Sequence, residues 1–116
     1  MYFIDTHAHI YLPEFDSDRD EVIARSVEAG VDRIFLPNID RESVRPMLNL
    51  AEKYPGICFP MMGLHPTSVT TEFGSQLEEV ELWLSKGGFI AVGEVGIDLY
   101  WDKSLADQQA IAFDSQ

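Results

Sequence analysis

The chain has 116 residues, 20 of them Asp or Glu against 8 Lys or Arg, for a formal net charge of −12 at pH 7. That length fits one compact unit, and 46% hydrophobic with 11% aromatic residues rules out intrinsic disorder. So acidic a surface repels polyphosphate, which excludes a broad electrostatic nucleic-acid footprint. It still allows a phosphate-bearing substrate held locally by a bound cation. The single cysteine excludes an internal disulfide framework and a Cys-based zinc finger. The N-terminus lacks the basic and long apolar regions of a signal peptide, and no apolar run approaches the ~18–20 residues of a membrane span. A soluble, cytoplasmic protein without a membrane partner is the expectation.

In chain order, Tyr2–Asp5 is a short apolar run that reads as a first strand. Residues Asp16 to Ala29 follow as a helix, with acids early, apolar positions at Ile23 and Val27, and Gly30 as the stop. Val31–Pro37 is the second strand. Asp40 suits a helix N-cap, and Val44, Met47, Leu48 and Ala51 keep the spacing of one buried helical face until Pro55-Gly56. Ile57–Met62 is the third strand. Ser75 and Glu78 fit a capping box for a helix with a Leu77, Val80 and Leu84 stripe, closed by Gly87-Gly88. Phe89–Val92 reads as a fourth strand, and Ser104 to Gln116 as a fourth helix with Leu105, Ala112 and Phe113 on one side.

The order is therefore β-α repeated four times, with apolar runs in the strands and neither linker nor second domain across 1–116. That grammar predicts an α/β fold with a parallel sheet, helical crossovers and both faces buried. Four such units are half of a TIM-type eight-fold barrel, whose usual length is about 250 residues. A four-stranded open sheet would leave two edges to protect. The expectation is a piece of something longer, with self-association through open edges as its consequence.

All three histidines follow a predicted strand: His7 and His9 the first, His65 the third. The fourth strand leads into Gly93-Glu94-Val95-Gly96-Ile97-Asp98. In parallel α/β folds the C-terminal strand ends gather ligands and active sites. In an extended segment residues i and i+2 point to the same side, so His7 and His9 can converge on one ion, and imidazole suits Zn²⁺ and related metals. Glu94, from another strand end, could add oxygen ligation. An isolated His-x-His is as readily a pair of surface residues; Glu94 at the matching rim position favours the metal. Cys58 reads as a small core hydrophobe, Trp83 and Phe89 as packing residues. Tyr100 and Trp101 suit either a pocket wall or loop packing. The acidic groups near residues 16–21 and 72–81 suit solvated helix starts.

Asp5-Thr6-His7-Ala8-His9, Gly63-Leu64-His65-Pro66 and the run from Gly93 to Trp101 resemble, in order, the first three signatures of the TatD family. The stretch Gln109–Gln116 is similar to the start of its next helix. The resemblance covers the whole chain but about the first half of the family's usual length. It implies a TIM-barrel, metal-dependent hydrolase of phosphodiester bonds, commonly a deoxyribonuclease of the 3′-end exonuclease type, acting on a nucleic-acid end or a small phosphodiester. On this resemblance His7 and His9 bind a first metal and Glu94 bridges two. His65 and Asp98 line the site in substrate-contacting or supporting roles. One or two divalent ions are implied, with Zn²⁺, Mn²⁺, Fe²⁺ and Mg²⁺ all compatible. The family's remaining ligands come from later strands, so the chain by itself is expected to lack turnover. Two alternatives stay open: hydrolysis of amide, ester or lactone bonds on the same scaffold, and a non-catalytic half-barrel.

Overall fold

A computed structural model describes all residues, 1–116. Three parallel strands, β1 (Phe3–Asp5), β2 (Val31–Pro37) and β3 (Cys58–Met61), form one sheet in the order β1-β2-β3. The helices are α1 (Arg19–Glu28), α2 (Arg41–Lys53), α3 (Phe73–Ser85) and α4 (Ala106–Ser115), with 3₁₀ turns at Pro13–Phe15 and Pro66–Ser68. No helix is long and apolar enough to cross a membrane.

Local chemistry explains most boundaries. Asp40 caps α2: its side chain accepts from Ser43 N, and the Ser43 hydroxyl accepts from Asp40 N. The α1–β2 connection turns at Gly30, whose φ of 97° is open to glycine at little cost. The helix expected from Asp16 starts later, at Arg19, because the segment before it coils into a 3₁₀ turn after Pro13. The Arg19 guanidinium then donates to the carbonyls of Ile10, Tyr11 and Leu12, tying that turn to α1. The Ser75–Glu78 capping box does not form. Helix α3 begins at Phe73, the Ser75 hydroxyl donates to Glu72 O, and Gln76 clamps the preceding loop by accepting from Thr70 N and donating to Ser68 O.

The fourth strand is reduced to a single parallel bridge, Met62 to Val92. Hydrogen bonds still run along it, from Ile90 N to Pro60 O, Met62 N to Ala91 O and Gly93 N to Met62 O. The segment thus lies beside β3 with parallel polarity, but it veers off at Gly93 before a ladder is established.

Sheet burial is one-sided, contrary to the expectation of two covered faces. In β3 Cys58 and Pro60 are buried while Phe59 and Met61 are half-exposed, and all of β1 is exposed. Helices α1 and α2 pack on β2 and β3 from one side, closing a core of Ile23, Ile34, Leu36, Val44, Met47 and Leu50. Phe35 and Phe59, paired across β2 and β3, meet edge to face with centroids 6.1 Å apart on the other side. The apolar stripes are displaced too. On α1 Val27 is exposed, on α2 Leu50 is buried where Ala51 was expected, and on α4 Gln109 and Ala112 are buried while Phe113 is 49% exposed.

Candidate metal centre

The rim above the strand ends is assembled by backbone. Beyond β1 the chain stays extended, and Ala8 N donates to Phe35 O at 3.0 Å, continuing the pairing with β2. His7 and His9 flank that bonded residue, so their side chains leave on one side and their rings meet edge to face at 4.9 Å. Past β2, Asn38 N donates to Gly93 O and Asn38 O accepts from Glu94 N, both at 3.0 Å. His65 is fixed by its own N–H donating to Ile39 O at 2.8 Å. Three separate strand ends therefore meet through two consecutive residues, Asn38 and Ile39.

Asn38 is 2% exposed and satisfied throughout. Its amide donates to the carbonyls of Asp40 and Gly63, and its side-chain oxygen accepts from the Ser43 hydroxyl. Glycine at 63 is a matter of space: a Cβ there would lie 2.8 Å from Gly93 C and 3.0 Å from Glu94 O, both backbone atoms. The Gly-Leu-His and Gly-Glu signatures are thereby one packing unit.

The side chains converge. His7 Nε2 lies 3.0 Å and His9 Nε2 3.2 Å from Glu94 Oε2, and the two Nε2 atoms are 3.1 Å apart. Donors about 2.0–2.2 Å from one ion, at angles between octahedral and tetrahedral, lie roughly 2.8–3.6 Å from each other. The triangle fits a single cation.

The hydrogen-bond network also assigns the tautomers. Tyr11 Oη donates its only proton to Pro37 O, so its contact with His9 Nδ1, at 2.8 Å, requires His9 to donate from Nδ1. Neutral His9 therefore keeps its lone pair on Nε2, aimed into the triangle. Such a partner fixes both the tautomer and the ring orientation of a ligating imidazole. Burial is the largest influence on His9 and holds its pKa below the usual histidine value, with nearby Glu94 opposing and His7 adding to the shift. The ring therefore resists protonation, as a ligand must.

His65 has the opposite arrangement. Its Nδ1 accepts from Thr67 N at 3.1 Å, so its proton sits on Nε2, 3.2 Å from Glu94 Oε1. It joins the cluster as a donor to the carboxylate, not as a lone pair. Asp98 does not join: its Oδ1 accepts from Tyr100 N at 2.9 Å, and Gln109 holds its backbone by accepting from its N–H and donating to its carbonyl.

Tyr11, Asn38 and Gln109 escaped the sequence reading. Tyr11 stands two residues beyond His9 and Asn38 directly after β2, so their positions were the available signal. Gln109 opens the stretch that resembles the family's next helix, which marked the position but not its hold on Asp98. Conversely, a cleft of about 630 Å³ near Asp16, Asp20 and Lys53 contains none of the metal-facing side chains, although Tyr11 reaches its wall. Its Arg19 is spent on carbonyls, and its Asp20 accepts from Lys53 and Tyr54.

Residues 4–116 match the family model described as TatD related DNase. The chain is 34% identical over 116 residues to the uncharacterized metal-dependent hydrolase YjjV of Escherichia coli, covering 98% of this chain and 44% of that protein. It is 28% identical to a 3′-5′ ssDNA/RNA exonuclease TatD of Pectobacterium parmentieri, covering 97% of this chain and 43% of that one. The crystal structure of YjjV superposes with a TM-score of 0.86 at 33% identity, covering 97% of this chain and 44% of that chain. A TatD-family hydrolase of Entamoeba histolytica, at 21% identity and TM-score 0.79, shares the fold. The chain thus spans under half the length of the relatives it matches. Strand-end signatures, parallel topology and a family match over nearly every residue agree: this chain belongs to the TatD-related DNase family of metal-dependent hydrolases.

Proposed function

We propose that residues 1–116 are the first half of a (β/α)₈ barrel that hydrolyses phosphodiester bonds at the ends of single-stranded nucleic acid, of the 3′-end exonuclease type, with His7, His9 and Glu94 holding a divalent cation. The observation that carries this reading is the mutual 3.0–3.2 Å spacing of three donor atoms from two strand ends.

When bound, the cation supplies Lewis acidity toward a phosphate oxygen and lowers the pKa of coordinated water. The protein's residues do the remainder. His7 and His9 offer Nε2 lone pairs, Tyr11 fixes the His9 ring, and Glu94 commits Oε2 to the imidazoles and Oε1 to His65. Two imidazoles and one carboxylate suit Zn²⁺ or Mn²⁺ better than Mg²⁺. A second ion bridged by Glu94 would need ligands from outside this set. On a protein of charge −12, a cation at the rim gives phosphate one local point of attraction, which favours a strand end over a long duplex.

Metal titration of the 116-residue chain tests the site: one equivalent of Zn²⁺ or Mn²⁺ should bind, and Glu94→Ala should abolish it. The chain alone should not shorten 5′-labelled single-stranded DNA, whereas one of the relatives' length should do so only with metal and Glu94. Cleavage of lactone or ester substrates in place of DNA would move the reading to another hydrolase class, and metal binding indifferent to Glu94 would overturn it.

A further inference from the structure

We propose that Tyr100 and Trp101 form a stacking platform for an unpaired nucleobase beside the metal centre, an inference that rests on the nucleic-acid reading above. On this half-barrel the two side chains are 83% and 79% exposed, and their rings meet edge to face with centroids 4.8 Å apart.

The loop that carries them is pinned. Asp98 Oδ1 accepts from Tyr100 N at 2.9 Å, and Gln109 fixes the Asp98 backbone at 2.8 and 3.0 Å. On the other side, Asp102 accepts from the N–H and hydroxyl of Ser104 at 2.8 and 2.9 Å. The aromatic pair thus sits between two carboxylates that each accept hydrogen bonds from their own loop.

The platform is continuous with the site. Trp101 shares a cleft of about 100 Å³ with Pro66, Thr67 and Asp98. The N–H of Thr67 donates to His65 Nδ1, and that ring reaches Glu94 through Nε2. So small a cleft cannot enclose a nucleotide, which leaves the outward ring faces as the contact surface.

Charge decides what lies on them. Lys103 is the sole cation between Glu94 and Ala106, so the loop cannot track a phosphate backbone. Stacking needs no charge and accepts every base, because each has a π-face. Bases within a duplex already stack on each other, so the platform selects an unpaired end.

The test uses the full 116-residue chain with Trp83→Phe as background, leaving Trp101 as the one tryptophan. Its fluorescence is followed while a phosphorothioate dT hexamer, or the same hexamer with abasic 3′-terminal residues, is added in EDTA and in Mn²⁺. The base-bearing strand should quench Trp101 and bind roughly 5- to 100-fold more tightly than the abasic one. Anisotropy of labelled strands should show Trp101→Ala losing that preference and Trp101→Phe retaining it. Equal binding of the two strands, or an unchanged preference in Trp101→Ala, overturns the platform. Quenching that follows protein concentration instead assigns the pair to a second copy of the chain and also overturns it. A base preference that survives while Mn²⁺ adds nothing supports the platform and removes the metal reading, so the two failures are distinguishable.

Discussion

His65 and Glu94 meet at 3.2 Å, Nε2 to Oε1, while the other Glu94 oxygen faces His7 and His9. Because Thr67 N–H occupies His65 Nδ1, the imidazole can only give its Nε2 proton to the carboxylate. The role we propose for His65 is to position Glu94. His65→Ala should weaken Zn²⁺ binding by roughly 10- to 100-fold, the usual cost of losing such a partner, at unchanged stoichiometry. Calorimetric titration reads both. A change in stoichiometry would make His65 a ligand instead.

Metal binding should stabilise the fold. A ligand at 100 times its Kd adds about 2.7 kcal/mol, so saturating Zn²⁺ should raise Tm clearly in the native chain. Glu94→Gln should leave Tm insensitive to metal. A metal-induced shift that persists in the variant would place the cation elsewhere.

Tyr11 is 2% exposed and connects His9 to the Pro37 carbonyl. Tyr11→Phe leaves both groups without that partner, costing about 1–3 kcal/mol of stability. It also frees His9 to take its other tautomer. Denaturant unfolding and Zn²⁺ affinity should both fall. Loss of stability with unchanged affinity would show that Tyr11 supports the core but not the ligand.

Two neighbouring glycines should behave differently when changed to alanine. At Gly63 the added carbon meets backbone, at 2.8 Å from Gly93 C, whereas at Gly93 it meets the flexible end of Met61, at 2.6 Å from Cε. Gly63→Ala should cost about 1–3 kcal/mol and reduce metal affinity, since Glu94 must shift. Gly93→Ala should cost less, as Met61 can change rotamer. Equal losses would mean that Met61 is as confined as the backbone.

Burial pushes the Cys58 thiol up to about 11 from its ordinary 9.0. At pH 8 it should resist thiol reagents until the chain unfolds. Because the folded value is the higher one, the buried thiol's contribution is complete below pH 9 and declines as pH rises from 9 towards 11. Urea unfolding between pH 9 and 10 should show the loss, and Cys58→Ala should reduce it there. Above pH 10, Tyr11 and Tyr54, whose hydroxyl pKa values are also raised, add their own loss. Rapid labelling in the native state would contradict the burial.

What the sequence determined by itself was the grammar and the rim. Apolar runs, Gly30 and Asp40 located strands and helices because their causes are local: capping, backbone freedom and periodicity. His7, His9, His65 and Glu94 could be grouped because parallel strands bring their C-terminal ends to one side. Tertiary structure alone decided the rest. The orientation of each imidazole depends on partners supplied from elsewhere, Pro37 for Tyr11 and Thr67 for His65, and no spacing rule encodes which nitrogen keeps its proton. Asp98 was grouped with the site by its motif alone. Only the fold shows it standing apart from the His7, His9 and Glu94 cluster, with Oδ1 accepting from the Tyr100 backbone. The fourth strand reads like the others in composition but makes one bridge, because the chain is drawn across Asn38 at Gly93. The exposure of Tyr100 and Trp101 was undecidable from an apolar count, since what a side chain touches is a property of the whole fold.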